Sequence, residues 1–375
     1  MDLFEVYPLF DITPVKAEGC WITDTKGNRY LDLYGGHAVI SIGHSHPTFV
    51  KRLEDQLHRI AFYSNAVHNP LQEALAEKIG RVSGLEDYHL FLCNSGAEAN
   101  ENALKLASFQ TGNDRIIAFE NSFHGRTSAA VAATDNPAII APLNAQHQVT
   151  FLPLNDSRAL DRELAKGDVC AVILECVQGV GGLTVVEPTF LKEADALCRE
   201  HGAVLIADEV QSGFGRTGDF FAFQFTDIRP GIISMAKGMG NGFPIGGILI
   251  HPEFKARYGL LGTTFGGNHL ACAASLAVLE VLEKEGLLSN ARDMESYFRQ
   301  KAEGLPGRVT VRGRGLMLGL EFDFEIAALR RKLIEEHRIF TGSSKNKNLL
   351  RILPSLGIDR KAFDLLFEAL QKELQ

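Results

Sequence analysis

No two cysteines in this chain stand at C-x-x-C spacing, and the six present (Cys20, Cys93, Cys170, Cys176, Cys198, Cys272) are scattered. That excludes a disulfide framework and a zinc site, and it suits reduced, mostly buried thiols. No apolar run reaches the length needed to span a bilayer. Basic blocks are missing too: 38 Lys plus Arg stand against 46 Asp plus Glu for a net charge of −8, so nucleic acid is not an expected partner. The first residues, MDLFEVYPLFDITP, carry acids at Asp2 and Glu5 and no basic stretch ahead of an apolar core. A signal peptide is therefore not expected, and a cytoplasmic location is. There is no internal repeat and no low-complexity segment.

What is present is ordinary globular sequence, 45% hydrophobic and 22% charged over 375 residues, long enough for two domains. Short β-branched runs recur with helical patterns between them: HLFLC (89–93), RIIAF (115–119), VTFLPL (149–154), AVILEC (171–176), AVLIADEV (203–210) and GIIS (231–234). They are nearly continuous in apolar residues, as expected of parallel strands buried on both faces. A helix such as TFLKEADALCREHG, closed by Gly202, fits between them. The predicted class is α/β, a doubly wound, mostly parallel sheet in a large domain over 46–265. After 265 come a long helical run, the strand pattern RVTVRGRGLMLGLEFDF and a closing helix KAFDLLFEALQKEL, a smaller α+β domain over 266–375. The hairpin pattern GCWITDTKGNRYLDLYGG lies in a segment, 1–45, expected to join that smaller domain.

Four stretches could carry chemistry. In CNSGAEANENALKLA (93–107) a strand runs into Ser95 and Glu98, an S-x-x-E capping box at a helix start. Such a start, with Gly96 allowing close approach, is either a capped helix and nothing more or a cradle for an anion. In IADEVQSGFGRTG (206–218) Asp208, Glu209 and Gln211 follow a buried strand, where a carboxylate is costly unless paired, although Asp208 could also cap a turn. In ENSFHGRTSAA (120–130) Phe123 and Arg126 suit stacking on a flat ligand and capture of a carboxylate, or equally a core ring and a surface charge. In GIISMAKGMGNGFPIGGILI (231–250) Lys237 stands among glycines, either a solvated loop residue or an amine held for carbonyl chemistry. GMGNG and GRGLMLG lack the dinucleotide-loop context, and the spacing of His44 and His46 in GHSHP reads as a turn, so no metal is expected.

Together, an anion-binding helix start, a buried acid, an aromatic before an arginine and a lysine meet the needs of pyridoxal phosphate: a cradle for its phosphate, an acid for its ring nitrogen, a ring to stack on and an amine for its aldehyde. The strings NSGAEANENALKLA, SFHGRT, LIADEVQSGFGRTG, MAKGMGNGFPIGG, TTFGGNHLACAAS and VRGRGLMLG, in this order over most of the chain, resemble the class III pyridoxal-phosphate aminotransferases of fold type I. Chain length and FHGRT are most similar to the branch acting on acetylornithine and succinylornithine. The resemblance implies transfer of the δ-amino group of an N2-acylornithine to 2-oxoglutarate in arginine biosynthesis, with another class III ω-aminotransferase, on ornithine or 4-aminobutyrate, as the alternative.

It also implies roles. Lys237 would take the cofactor aldehyde and then move the substrate proton, and Asp208 would hold the ring nitrogen protonated. Gln211 would bond the ring hydroxyl, and Val210 would pack under the ring opposite Phe123. Gly96 and Ala97 would give N–H groups to the phosphate, and Glu209 is counted with the cofactor-binding set. Thr264 would reach the phosphate of a neighbouring subunit, which makes a homodimer with shared sites the expected assembly. Thr263, Arg126 and Arg351 match substrate-binding positions, the two arginines for carboxylates. One departure stands out: the family's Q-G-E-G-G reads Gln178-Gly179-Val180-Gly181-Gly182 here. The glutamate expected to pair with Arg351 is missing.

Overall fold

In a computed structural model that describes residues 1–375, three strands form early: β1 (Pro14–Glu18), β2 (Trp21–Asp24) and β3 (Arg29–Asp32). The central sheet follows, built from β4 (His89–Cys93), β5 (Arg115–Phe119), β6 (Val149–Leu152), β7 (Val169–Leu174), β8 (Val204–Asp208), β9 (Ile232–Met235) and β10 (Gly246–Ile250). Its order is β4-β10-β9-β8-β7-β5-β6. The pairs from β9 through β6 are parallel, while β10 runs antiparallel to both β4 and β9. The last strands are β11 (Thr310–Arg314), β12 (Met317–Glu321), β13 (Ile339–Phe340) and β14 (Leu349–Ile352).

The sheet is buried on both faces, and side-chain alternation divides its residues between two cores. Ile117, Phe119, Leu205 and Ala207 belong to one core, and Ile116, Ala118, Val204 and Ile206 to the other. Each fully buried aliphatic side chain contributes roughly 1.5–3 kcal/mol of transfer free energy, which is why these strands are apolar at most positions. The helix Gly96–Thr111 packs across β7, β8, β9 and β10, and the helix Pro188–His201 packs on β8.

Strand β10 has no counterpart among the strands expected from the sequence. Its two leading glycines explain the fit, because a Cβ on Gly246 would stand 2.6 Å from the Ser95 carbonyl oxygen and one on Gly247 2.7 Å from that of Phe91. The glycines after Lys237 thus serve in part to let backbone pass close to backbone.

At the N-terminus β2 and β3 form a hairpin whose turn is fixed by Asp24, its carboxylate accepting from the N–H groups of Lys26 and Asn28. Strand β13 lies parallel to β3, so N-terminal and C-terminal residues share one sheet. A second, antiparallel sheet runs β11-β12-β14. Arg216 ties these parts together: its buried guanidinium donates to the carbonyls of Ile40, Leu316 and Pro354.

Candidate active site

Parallel strands bring all their C-terminal ends to one edge of a sheet, and ligands bind beyond that edge. Here the segments leaving β4, β5, β7, β8 and β9 converge on a cavity of about 360 Å³ lined by Gly96, Ala97, Phe123, Arg126, Glu175, Asp208, Val210, Gln211 and Lys237 among others.

Ser95 caps the helix Gly96–Thr111, its Oγ accepting from Glu98 N at 3.2 Å, while Glu98 reaches back to Asn94 N at 2.8 Å. The N–H groups of Gly96 and Ala97, first and second in the helix, have no intrahelical partner and sit at its positive end. Phe123 and Val210 both line the cavity.

Asp208, the last residue of β8, is almost fully buried. One oxygen accepts from His124 Nδ1 at 2.7 Å and Asn100 Nδ2 at 2.8 Å, and the other from Val210 N at 3.0 Å. His124 Nε2, Asn100 Oδ1 and Gln211 Oε1 are buried without a partner. Gln211 meanwhile donates through Nε2 to the His37 carbonyl at 3.0 Å.

Lys237 follows β9 in a left-handed conformation, φ 45°, that a non-glycine residue seldom adopts. Backbone strain of this kind clusters at functional sites. The dense surroundings hold its ammonium below the ordinary lysine value. Burial is the main cause and Arg351 adds to it, while Asp208 and Glu175 oppose. A lowered lysine pKa raises the share of free amine, the form that attacks a carbonyl.

The remaining expected residues are distributed around this centre. Arg126 lines the rim and is exposed. Thr263 Oγ1 accepts from Gly266 N at 3.1 Å and lies 3.4 Å from Asn94 Nδ2. Thr264 is exposed and does not line this cavity. Arg351, on β14, is buried and donates to the Gly179 carbonyl at 2.7 Å. Val180 forms part of the cavity wall.

Glu209, expected in the cofactor-binding set, does not line this cavity. Its carboxylate turns into the protein, accepting from Ser212 Oγ at 2.6 Å and Phe223 N at 2.9 Å. Successive side chains at a strand end point to opposite faces, so Asp208 and Glu209 could not both reach the cavity.

Three residues of the site had no role in the sequence reading: Asn100, His124 and Glu175. Glu175 is the most deeply engaged, its carboxylate accepting from Phe123 N and Gly179 N, each at 2.9 Å. Burial pushes it up to about 6. His124 lies inside the quoted SFHGRT and Glu175 inside AVILEC, but only the fold places Asp208 against the one and Lys237 near the other.

The residues fit pyridoxal phosphate: N–H groups at a helix start for an anion, a ring and an aliphatic wall for an aromatic plane, an anchored carboxylate for a ring nitrogen, an unpartnered amide oxygen for a hydroxyl, and an amine. The family model for aminotransferase class-III matches residues 5–374. The chain is similar to the acetylornithine aminotransferase of Methanosarcina acetivorans, 38% identical over 361 residues that make up 95% of this chain and 90% of the relative. It is likewise 38% identical to that of Bacillus subtilis over 378 residues, 99% of this chain and 96% of the relative. Among solved structures, acetylornithine aminotransferase from Elizabethkingia anophelis superposes with a TM-score of 0.84 at 29% identity, covering 98% of this chain and 94% of that one. Ornithine aminotransferase from Toxoplasma gondii gives 0.89 at 28% identity, covering 98% and 91%.

Proposed function

The chain belongs to the class III aminotransferases, and from that premise we propose that it moves the δ-amino group of an N2-acyl-L-ornithine to 2-oxoglutarate, giving the N-acylglutamate semialdehyde and L-glutamate in arginine biosynthesis. The observation that carries this reading is one cavity in which the amine of Lys237 and the anchored carboxylate of Asp208 meet Arg126, an arginine suited to a carboxylate. Similarity to acetylornithine aminotransferases over nearly the whole chain supports the choice of amino donor.

The cofactor is pyridoxal phosphate. When bound, its protonated ring draws electrons from the substrate carbon whose C–H bond must break. The N–H groups of Gly96 and Ala97 would hold its phosphate, Phe123 and Val210 its two faces, Asp208 its ring nitrogen, Gln211 its hydroxyl and Lys237 its aldehyde. His124 and Asn100 donate to one Asp208 oxygen and keep the carboxylate aimed at the position of the ring nitrogen. Lys237 Nζ, as a free amine, would be the base that takes the proton from the amine-bearing carbon and returns it one position along. Arg126 and Arg351 orient substrates by their carboxylates.

We further propose a homodimer with shared sites, Thr264 reaching the partner's phosphate. Its exposure outside its own cavity supports this, as does the exposed aromatic pair Phe62 and Phe265 beside it, 5.3 Å apart. No helix is long and apolar enough to cross a membrane. Six unpaired cysteines favour a reducing compartment, and we place the reaction in the cytoplasm. Steady-state assay of the purified holoenzyme with N2-acylornithines, ornithine and 4-aminobutyrate tests the reading; turnover of the last two alone would contradict it.

A further inference from the structure

Two arginines beside the cavity have no counter-ion. Arg351 is buried, its Nη1 bonded to the Gly179 carbonyl and its Nε left without a partner. The one carboxylate that acts on it is Glu175, whose oxygens are already engaged by Phe123 N and Gly179 N. Val180 stands where the resemblance places a pairing glutamate. The second arginine, Arg330, was not among the residues expected from sequence. It sits on the helix Ala327–Glu335, its Nε donating to the Thr341 carbonyl at 2.9 Å, and no acid pairs with it.

The two are built on adjoining backbone. Thr341 holds Arg330, and the next residue, Gly342, exchanges backbone hydrogen bonds of 2.9 and 3.0 Å with Arg351. The ring of Tyr34 lies on Gly342, so close that a Cβ there would stand 2.7 Å from it. The Thr341 hydroxyl is a further buried, unpartnered group. Beside them His37 is presented by a run of left-handed residues, Gly35 through Ala38, with φ between 55° and 67°. Burial, then Arg351, Lys237 and Arg330 push that imidazole down to about 4, so His37 is neutral and adds no third charge. The electrostatic neighbourhoods set an order: Arg351 acts on Lys237, and Arg330 acts on Arg351 and Tyr34.

Arg351 is buried and Arg330 half-buried; a cation drawn out of water without a counter-charge is costly to a fold, and the cost is accounted for when an anion arrives with the ligand. We propose that Arg330 and Arg351 form a subsite for a carboxylate carried by the substrate's N-acyl group, which makes that group the half-amide of a dicarboxylic acid, succinyl in the simplest case. The inference rests on the acylornithine reading above and specifies its acyl group. In an extended N2-succinylornithine, roughly 10 Å separates the δ-nitrogen from the terminal carboxylate, so that carboxylate lies well away from the reacting amine. An acetyl group ends in a methyl and leaves Arg330 without an anion. The second half-reaction also fits, since 2-oxoglutarate is itself a dicarboxylate. With an acidic acyl group in one half and a diacid in the other, no glutamate is needed at Val180 to neutralise Arg351 in between.

A simpler account is that Arg330 only stacks on Phe10, 5.4 Å from its ring centroid, and fastens the N-terminal segment. Two measurements separate them: kcat/KM of the holoenzyme with N2-succinyl- and N2-acetyl-L-ornithine, and calorimetric binding of N2-succinyl- and N2-acetyl-L-norvaline, which lack the reactive amine. The wild type is expected to favour the succinyl compounds by ~10-fold to ~100-fold, as for hydrogen bonds to a charged group. Arg330→Gln should erase most of that preference through KM and Kd, leaving the acetyl compounds within about threefold. Val180→Glu should shift it the same way by supplying the missing counter-charge. A wild type that favours the acetyl compounds, or an Arg330→Gln that weakens both pairs equally, would overturn the subsite. If Arg330→Gln does not fold, the wild-type ratio and Val180→Glu decide. Turnover of ornithine or 4-aminobutyrate with neither acylornithine is a separate result, and it defeats the reading beneath.

Discussion

Gly96→Ala is the smallest change that tests how the cofactor wall is assembled. The φ of Gly96 is one that any residue adopts, and alanine favours helices, so the backbone raises no objection. The obstacle is a side chain: a Cβ at position 96 stands 2.5 Å from Val210 Cγ1 and 3.1 Å from Val210 Cγ2, where carbons prefer about 3.5–4.0 Å. Valine is stiff at χ1, so it cannot simply swing aside. Either the helix start lifts from the strand end or the segment carrying Val210 moves, at a cost of about 1–3 kcal/mol by analogy with overpacked cores. Both movements separate the phosphate cradle from the ring wall, and the dissociation constant for pyridoxal phosphate should rise by about tenfold. Val210→Ala makes room, so in the double variant the clash disappears and the two changes should couple by about 1 kcal/mol or more. Urea unfolding of the apoprotein gives the stability and titration with pyridoxal phosphate gives the affinity. A Gly96→Ala protein equal to wild type in both, or a strictly additive double variant, would refute the close approach.

Other substitutions probe separate parts of the account. Asp208→Asn keeps the size and much of the hydrogen bonding but removes the charge held opposite the ring nitrogen, and kcat should fall by roughly a hundredfold or more, measured with saturating cofactor. His124→Ala leaves one Asp208 oxygen short of a donor, so it should lower kcat and cofactor affinity together, by less than Asp208→Asn. Burial pushes the Glu209 carboxyl from 4.5 up to about 7. A folded-state pKa above the unfolded one stabilises at low pH and is lost as pH rises through about 7, a change of roughly 3 kcal/mol. Glu209→Gln, which can still accept from Phe223 N and pair with Ser212, should therefore flatten the difference in urea midpoint between pH 5 and pH 8. For the shared site, a heterodimer of Lys237→Ala with Thr264→Ala should gather both lesions in one site and leave the other intact if Thr264 serves the partner's cavity, so activity near that of one intact site is expected; activity well below it, with one lesion in each site, would place Thr264 in its own.

Much of this architecture was legible in the sequence because parallel strands buried on both faces must be apolar throughout. RIIAF and HLFLC coincide with β5 and β4 residue for residue. Strand β10 was not legible, since it opens on two glycines and follows β9 with only a short 3-10 turn, Lys237–Met239, between them. The residues at strand ends, Lys237, Asp208, Phe123 and the Ser95 helix start, could be found by position along the chain alone. The residues that support them could not: Asn100 meets Asp208 across 108 positions and His124 across 84, and no local pattern encodes such a contact. The inward turn of the Glu209 carboxylate was legible too, because alternation at the end of β8 assigns it to the face opposite Asp208. Arg330 carried no signal, standing as one charge among several on an amphipathic helix; its meaning comes from having no acid beside it.

The central claim is that the amine of Lys237 is the group that holds pyridoxal phosphate covalently, and the visible absorption spectrum of the purified protein tests it most directly. Wild type incubated with pyridoxal phosphate should keep a visible absorption band through gel filtration, and borohydride should fix the cofactor on Lys237, seen as one modified peptide by mass spectrometry. Lys237→Ala should keep neither the band nor the modification. A wild type that retains no chromophore, or a Lys237→Ala protein that is still labelled to the same extent, would contradict the account.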